Sequence, residues 1–200
     1  MKIINASYEI QTPIYGDQII KSIERYARVC YKSENKITDE SAEKMIRHLI
    51  QHSHESPLEH ISITVKFICD RGVSHELVRH RLASYSQEST RYCNYCGGLT
   101  FIKPCFWNEH STDYDMWARQ MQAIEDLYLK YLRTGSTPQE ARCILPNSLK
   151  TEVIMTANLR EWRHILRLRT APDAHPQMRE IMCPLLDELK QKIPVIFDDI

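Results

Sequence analysis

The chain has 200 residues, a length that suits one domain of ordinary size. Its 42% hydrophobic and 26% charged residues lie near the average for globular proteins, which excludes intrinsic disorder and low-complexity scaffolds. Lys plus Arg equals Asp plus Glu, 26 against 26, so no whole-molecule field draws the chain onto nucleic acid or anionic lipid. Any anion site must therefore be local.

Hydropathy and cysteine usage indicate the compartment. No apolar stretch approaches the roughly 20 residues that a membrane helix needs, and the first residues lack a signal-peptide pattern. The seven cysteines are odd in number and scattered, which favours thiols in a reducing compartment over a disulfide framework. We expect a single domain over 1–200, cytoplasmic, with no nucleic-acid or membrane partner.

The first part of the chain predicts two strands and two helices. Weak alternation predicts a strand over 2–10, and apolar residues at helical spacing predict a helix over 17–31. A second helix is expected over 38–52, with acidic residues in its first turn, followed by a loop over 54–57. Strict alternation over 60–69 predicts a strand with one buried face.

The rest of the chain predicts mainly helices. A helical pattern runs over 73–83, and the polar stretch 84–92 then loses any apolar period, which predicts a loop. Long helices are expected over 114–131 and 176–192. Periodicity alone thus indicates a helix-rich chain with a modest sheet.

Two helix starts carry their own signature. Thr137, a proline at the next position and Glu140 form a capping box, which predicts a short helix carrying Arg142. Asn158 and Glu161 offer a similar start. The helix after Asn158 has an apolar stripe of Leu159, Trp162, Ile165 and Leu166. Its other faces are expected to carry Arg160, Arg163, His164 and Arg167.

Two arginine clusters are the densest polar signals. The first is Arg79-His80-Arg81, followed by a hydroxyl-rich stretch that ends at Arg91; guanidinium forks and hydroxyls are what a phosphate grip requires. The second consists of Arg160, Arg163, Arg167 and Arg169 and contains no lysine. The choice of arginine favours recognition of a ligand by planar guanidinium groups over a simple need for positive charge. A solvated helical face is the alternative for each cluster.

Histidines and cysteines raise metal alternatives. His75 and His80 are five residues apart, roughly 140° around a helix, so they do not share the face that a zinc-protease helix needs. Cys93 and Cys96 have zinc-knuckle spacing, yet no second close pair follows, and only Cys105 and His110 are nearby. We expect no resident metal.

A metallohydrolase remains a second function class. Its ligands would be His52, His54, Glu59 and His60. No glycine-rich dinucleotide loop or phosphate-loop lysine motif occurs, so side chains would have to bind any dinucleotide.

The chain resembles the flavin-dependent thymidylate synthase family. Arg79-His80-Arg81 with seven residues before Ser89 matches the family signature. Segments 54–60, 141–146, 158–169 and 175–177 resemble further family segments, so the resemblance covers about residues 50 to 190 in order. It implies an α+β fold with a mixed or mostly antiparallel central sheet flanked by helices.

The resemblance also implies an activity. Such enzymes are homotetramers that reductively methylate dUMP to dTMP, with methylenetetrahydrofolate as one-carbon donor and NADPH as reductant through bound FAD. No enzyme cysteine attacks the pyrimidine in that chemistry. An inactive nucleotide-binding relative, used as a regulator or assembly subunit, is a third possibility.

Site residues follow from the matched positions. The residues implied along FAD are Ser56, Arg79, His80, Arg81, Gln87, Asn158, Leu159, Arg160 and His164. Those implied along dUMP are Glu76, Leu77, Val78, Arg79, Gln87, Glu88, Ser89, Thr90, Arg91, Arg142 and Arg169. Arg169 matches the family residue credited with ionising the uracil at N3, where a guanidinium stabilises developing negative charge.

Four positions depart from the family pattern. Glu76 replaces a common glutamine, Gln87 a glutamate, Thr90 a frequent glycine and His164 a usual asparagine. Glu76 would repel a phosphate unless a base pairs with it. If the turn at Thr90 requires a positive φ, threonine is a costly occupant.

Overall fold

The computed structural model describes all 200 residues as an α+β chain with two sheets. The smaller sheet pairs two parallel strands, β1 (Lys2–Ile4) and β5 (Thr100–Ile102). The larger sheet has four strands in the order β2 (Ser7–Ile10), β3 (Ser62–Asp70), β6 (Lys150–Asn158) and β4 (Ala83–Gln87).

Helices make up most of the remaining chain. They are α1 (Gly16–Tyr31), α2 (Ser41–Gln51), α3 (Arg71–Leu77), α4 (Thr112–Arg133), α5 (Pro138–Ala141), α6 (Leu159–Arg169), α7 (Pro176–Lys192) and α8 (Pro194–Phe197). Short 3₁₀ helices cover Glu34–Lys36, Ser56–His60 and Arg142–Ile144. None of the helices combines the length and the apolarity that a bilayer crossing requires.

The two central strands of the larger sheet are antiparallel. The backbone N–H of Leu159 donates to the Ile61 carbonyl at 2.9 Å, and that of Arg71 donates to the Leu149 carbonyl at 3.1 Å. Residue numbers therefore rise along one strand as they fall along the other. The antiparallel sheet with its helices confirms the predicted fold class.

The chain divides into two compact units. The first unit comprises Met1–Tyr8, Lys66–Arg81 and Tyr85–Ile154. Its core is an aromatic and aliphatic cluster in which α4 contributes Trp117, Met121 and Tyr128, and the indole N–H of Trp117 donates to Ser148 Oγ at 3.1 Å. The N-terminus of α4 is capped by Ser111, whose Oγ accepts from the backbone of Tyr114.

The second unit comprises Glu9–Val65, Leu82–Ser84 and Met155–Ile200. Here α6 packs on β3 through Trp162, which is fully buried and whose indole N–H donates to the Ile63 carbonyl at 3.0 Å. The alternating residues Ile63 and Val65 supply the buried face of β3. Strands β3 and β6 run from one unit into the other, and a single domain over 1–200 stays a proposal.

The predicted strand over 2–10 and the start of the second helix were wrong in detail. The N-terminal stretch forms two strands, because β1 pairs with β5 while β2 joins the other sheet. Helix α2 begins at Ser41, so the acidic residues expected in its first turn precede it. The predicted loop 54–57 passes into a 3₁₀ helix at Ser56.

The largest difference lies after α3. The helix predicted over 73–83 ends at Leu77, and the predicted loop 84–92 begins as a strand, β4. The residues of this edge strand alternate between half-buried and exposed positions, but most of them are polar, so the alternation produces no apolar period in the sequence. The remaining long helices and the strand over 60–69 were predicted within a few residues of their bounds.

Replacing the indole that joins α6 to β3 tests this packing. Trp162→Phe removes the N–H···O bond to Ile63 and leaves space in a filled core, so we expect a loss of about 1–3 kcal/mol in unfolding free energy, measured by urea denaturation. The control is Trp107→Phe, because Trp107 is only half-buried. An equal loss in both variants would contradict the role given to Trp162.

Candidate functional site

The arginine signature lies in the turn after α3. Asp70 caps α3 by accepting the Val73 N–H at 2.9 Å. After Leu77, the Tyr85 hydroxyl lies 2.7 Å from the Leu77 carbonyl and 2.8 Å from the His80 carbonyl, which ties the turn to β4. His80 is buried, whereas Arg79 and Arg81 are exposed. The turn therefore presents its two guanidinium groups outward.

The departure at Gln87 has a local chemical reason. The Gln87 side-chain amide donates to Ser74 Oγ at 2.9 Å and to Thr151 Oγ1 at 3.2 Å. The Ser74 hydroxyl donates its own proton to the Arg71 carbonyl at 2.9 Å. Residue 87 must then supply a donor to Ser74, which glutamine does and an ionised glutamate cannot do.

Glu88 is held by an ion-pair chain in the first unit. Its carboxylate accepts from the Tyr95 hydroxyl at 2.8 Å and from Lys150 Nζ at 3.0 Å. Lys150 also contacts Glu152 at 2.6 Å, and Glu152 contacts Lys66 at 2.6 Å. The Glu88 side chain is thus committed within the chain, and it anchors the loop that follows β4.

The same contacts shift the titration of these groups. Burial, with help from Glu88, raises the pKa of the Tyr95 phenol. Burial opposes the charge of Lys150, yet hydrogen bonds to Glu152 and Glu88 outweigh that cost and raise its pKa. Hydrogen bonds from Lys150 and Lys66 lower the pKa of Glu152. These shifts favour the charged forms of Lys150 and Glu152 and the neutral form of the Tyr95 phenol.

The loop after Glu88 forms a tight turn. The backbone N–H of Cys93 donates to the Ser89 carbonyl at 2.9 Å. Thr90 is buried. Its φ is not positive, because Lys32 and Ser53 are the two non-glycine residues with a positive φ. Threonine at this position therefore causes no backbone strain. The exposed Arg91 guanidinium lies 5.2 Å from the centre of the Tyr92 ring.

The other residues expected along dUMP occupy several local environments. Glu76 is half-buried near the end of α3, Leu77 is fully buried and Val78 is exposed. Arg142 is exposed at the start of a 3₁₀ helix, after the capping box formed by Thr137 at the start of α5. All of these lie in the first unit, whereas Arg169 is the half-buried last residue of α6 in the second.

The second unit contains a cleft of about 640 Å³ along α6. It is lined by Glu55, Glu59, Leu82, Asn158, Arg160, Glu161, Arg163, His164 and Arg167. Three residues expected along FAD, namely Asn158, Arg160 and His164, are therefore brought together. A neighbouring cleft of about 340 Å³ contains Ser56 and shares Arg160. Leu159 is fully buried, so only its backbone could reach a ligand.

Helix α6 begins at the edge of this cleft. Asn158 Oδ1 accepts the Glu161 N–H at 2.8 Å, as the capping pattern predicts, and this leaves the Asn158 amide N–H groups for other partners. A helix N-terminus carries a partial positive charge that favours anions. Burial raises the pKa of the Glu161 carboxyl, and the charge of His164 opposes part of that rise.

Acidic partners neutralise the arginines of the cleft. Arg160 Nη1 donates to Glu59 at 2.5 Å. Arg163, predicted on a polar face, is 1% exposed and donates to both carboxylate oxygens of Asp199 at 2.7 Å. Arg167 Nη2 donates to the same carboxylate at 2.8 Å. Sequence reasoning missed Asp199, because a separation of 32 to 36 residues leaves no periodic signal.

The metallohydrolase ligand set does not assemble. Glu59 pairs with Arg160, and the His60 ring packs on Tyr26 with 5.1 Å between centres. His54 Nδ1 contacts the Tyr31 hydroxyl at 3.2 Å, and the His52 ring lies against His48. The His52 and His54 rings have centres 6.1 Å apart, but Glu59 and His60 are held by other residues, so the four side chains do not form one site.

Comparison with known proteins decides the family. The model of the family described as "Thymidylate synthase complementing protein" matches residues 15–195. The chain belongs to this family. A flavin-dependent thymidylate synthase of Pyrococcus furiosus is 34% identical over 165 residues, which are 80% of this chain and 68% of the relative. One from Geobacter sulfurreducens is 33% identical and covers 86% of this chain and 78% of the relative.

A relative and a solved structure extend the match to nearly the whole chain. The flavin-dependent thymidylate synthase of Corynebacterium efficiens is 30% identical over 97% of this chain and 84% of its own length. The crystal structure of the UMP/dUMP methylase PolB from Streptomyces cacaoi, bound with 5-Br dUMP, aligns with a TM-score of 0.81. That alignment has 26% identity and covers 99% of this chain and 96% of PolB.

The ion-pair chain around Glu88 predicts a pH dependence. Because the folded-state pKa of Glu152 is lowered, its contribution to stability is present above its unfolded pKa of about 4.3 and is lost as pH falls through the folded value. We expect Glu152→Gln to show a shallower loss of stability on acidification, measured by urea denaturation at several pH values. Glu9→Gln, at an exposed position on β2, is the control and should keep the wild-type slope. Identical slopes in wild type and Glu152→Gln would refute this assignment.

Proposed function

We propose that the protein is a flavin-dependent thymidylate synthase. It would reductively methylate dUMP to dTMP, taking the one-carbon unit from methylenetetrahydrofolate and reducing equivalents from NADPH through bound FAD. The observation that carries the proposal is the family match over residues 15–195 together with the outward presentation of Arg79, Arg91 and Arg142. None of these three guanidinium groups is paired with a carboxylate of the chain.

Unpaired arginines suit a dianionic substrate. Arg79, Arg91 and Arg142 come from three separate stretches of the first unit. Their exposure is therefore not explained by a shared position on the polar face of one helix. A phosphate monoester accepts bidentate hydrogen bonds from guanidinium groups. We assign these residues, with Ser89 and the neighbouring loop backbone, to the nucleotide.

The α6 cleft suits the flavin. Asn158 would donate from its amide, Arg160 and His164 would contact the same group from the next turns, and the helix N-terminus would favour its anionic part. A bound flavin supplies hydride transfer, and the protein supplies orientation and electrostatics. The acidic partners of the arginines keep the net charge of the cleft close to zero. Binding there would therefore depend more on the orientation of the hydrogen-bond donors than on net positive charge.

Arg169 is assigned to the pyrimidine. A guanidinium beside the ring stabilises negative charge as it develops at N3, which makes the distal carbon more nucleophilic. No cysteine is assigned as a nucleophile, because the chemistry of the family uses none, and burial raises the pKa of the Cys69 thiol well above its usual range. We further propose one domain over 1–200 and a homotetramer.

A second substrate deserves a direct test. The solved neighbour PolB is described as a UMP/dUMP methylase, and it aligns over 99% of this chain. The ribose 2′-hydroxyl is the whole difference between the two nucleotides. UMP methylation is therefore the second candidate function.

An anaerobic assay tests both candidates. Purified protein is supplied with FAD, NADPH, methylenetetrahydrofolate and either dUMP or UMP, and the methylated nucleotide is quantified. Formation of dTMP supports the proposal, and methylation of UMP alone supports the second candidate. Nucleotide binding without NADPH oxidation would instead support the inactive relative, and stoichiometric zinc without flavin a metal enzyme.

Removing the guanidinium of Arg169 tests its role. We expect Arg169→Ala to keep FAD and to lose about 10²–10³-fold in kcat, the size expected for one donor that stabilises developing charge. Arg133→Ala, at an exposed position in the last turn of α4, is the matched control and should keep wild-type turnover. Equal turnover in wild type and Arg169→Ala would remove that residue from the mechanism.

Removing a hydroxyl at the neighbouring cleft gives a graded comparison. We expect Ser56→Ala to weaken flavin retention only slightly, because Ser56 is exposed and offers a single hydroxyl. Flavin retained after gel filtration, measured by absorbance, reports the effect. Complete loss of flavin would contradict this ranking.

A further inference from the structure

The segment after α8 places one carboxylate against two arginines of α6. Asp199 accepts two hydrogen bonds from Arg163 and one from Arg167, each at 2.7 or 2.8 Å. Both arginines line the α6 cleft. Asp199 lies beyond residue 195, where the family match ends.

The two arginines differ in what they can reach. Arg163 is 1% exposed, and it also donates to the Ile196 carbonyl, so its guanidinium is enclosed by the protein. Arg167 is 49% exposed and gives one N–H to Asp199. A guanidinium has five N–H donors, so most of those of Arg167 stay available to the cleft.

The shared carboxylate restricts Arg167. A long exposed arginine samples many rotamers, and binding a ligand costs the entropy of fixing one of them. Asp199 is itself fixed by the bidentate pair with buried Arg163, whose hydrogen bonds lower the pKa of the carboxyl and keep it ionised. The buried pair therefore serves as the rigid support, and Arg167 is the side chain that it orients.

We propose that Asp199 is a positioning residue that orients Arg167 along the α6 cleft for the anionic part of the flavin dinucleotide. This inference rests on the proposed function, because it takes the cleft as the flavin site. Arg167 would donate to a phosphate oxygen through the N–H groups of its guanidinium that Asp199 does not use. Asp199 would act only through Arg167 and would not touch the cofactor.

A double-mutant cycle on FAD affinity tests the coupling. We expect Asp199→Asn and Arg167→Ala each to raise the Kd for FAD about tenfold, the loss of one oriented charge-assisted hydrogen bond, and the double variant to be no weaker than Arg167→Ala alone. Affinity is measured by flavin fluorescence quenching on the apo form of the full chain. Asp199→Glu should recover part of the affinity.

Melting temperatures, compared with FAD affinities, distinguish a positioning role of Asp199 from a purely structural one. Asp199→Asn removes the nearer of the two carboxylate charges that face buried Arg163, the other being Glu55 at 3.5 Å, so the melting temperature should fall in the wild-type and the Arg167→Ala backgrounds alike. A purely structural role predicts that Asp199→Asn also weakens FAD binding by the same factor in both backgrounds, which would overturn the proposal. An unchanged Kd in Asp199→Asn would overturn it as well.

Matched variants serve as controls. Asp198→Asn changes the exposed neighbouring carboxylate, and Arg179→Ala changes an exposed arginine of α7; both should keep the wild-type Kd. If the wild-type protein itself fails to bind FAD, the proposed function fails and this inference falls with it. If the wild type binds FAD and the cycle shows no coupling, only the inference falls.

Discussion

A buried guanidinium is the constraint on which the α6 cleft depends. Arg163 is 1% exposed, and a charge held at such a position without a partner costs several kcal/mol. The carboxylate of Asp199 and the carbonyl of Ile196 meet that requirement, so the chain after α7 must return to α6. Helix α8 makes this return, and its buried residues Val195, Ile196 and Phe197 hold the returning chain in place.

Charge pairing differs between the two units in a way that net composition conceals. In the second unit, Arg160, Arg163 and Arg167 are all paired with carboxylates of the chain. In the first unit, Arg79 and Arg142 have no such partner. A chain with equal numbers of acids and bases can therefore carry a local excess of positive potential, which suits a small dianion. The paired arginines instead offer fixed directions with little net charge.

Local signals predicted much of the fold, and long-range pairing accounts for the rest. The cap at Asn158 and the apolar stripe of α6 are contained in adjacent residues, and both were predicted. The break between β1 and β2 depends on pairing with β5, which lies about a hundred residues away, and no local pattern reports it. Burial of Arg163 likewise depends on Asp199, so a helical wheel places that arginine on the polar face.

For the candidate site, too, local sequence signals predicted some residues and long-range contacts determined the others. Residue types and spacing placed Arg79, Arg142 and Arg169 through the family resemblance. The residues that hold the turn after α3 and the Glu88 side chain, namely Tyr85 and Lys150, come from other parts of the chain. These residues belong to no recognisable sequence motif, and their role becomes visible only from the side chains and carbonyl groups that they contact in the structure.

The departure from the family pattern at position 87 follows from which neighbouring groups donate hydrogen bonds and which accept them. Because Ser74 gives its proton to the Arg71 carbonyl, residue 87 must donate, and Gln87 satisfies both Ser74 and Thr151. An acid is retained at the next position, where Tyr95 and Lys150 supply its donors. The sheet edge thus keeps one amide and one carboxylate side by side: the amide donates to Ser74 and Thr151, and the carboxylate accepts from Tyr95 and Lys150. A glutamate at position 87 would therefore require Ser74 to release the Arg71 carbonyl, so the identity of the last residue of β4 depends on the first turn of α3.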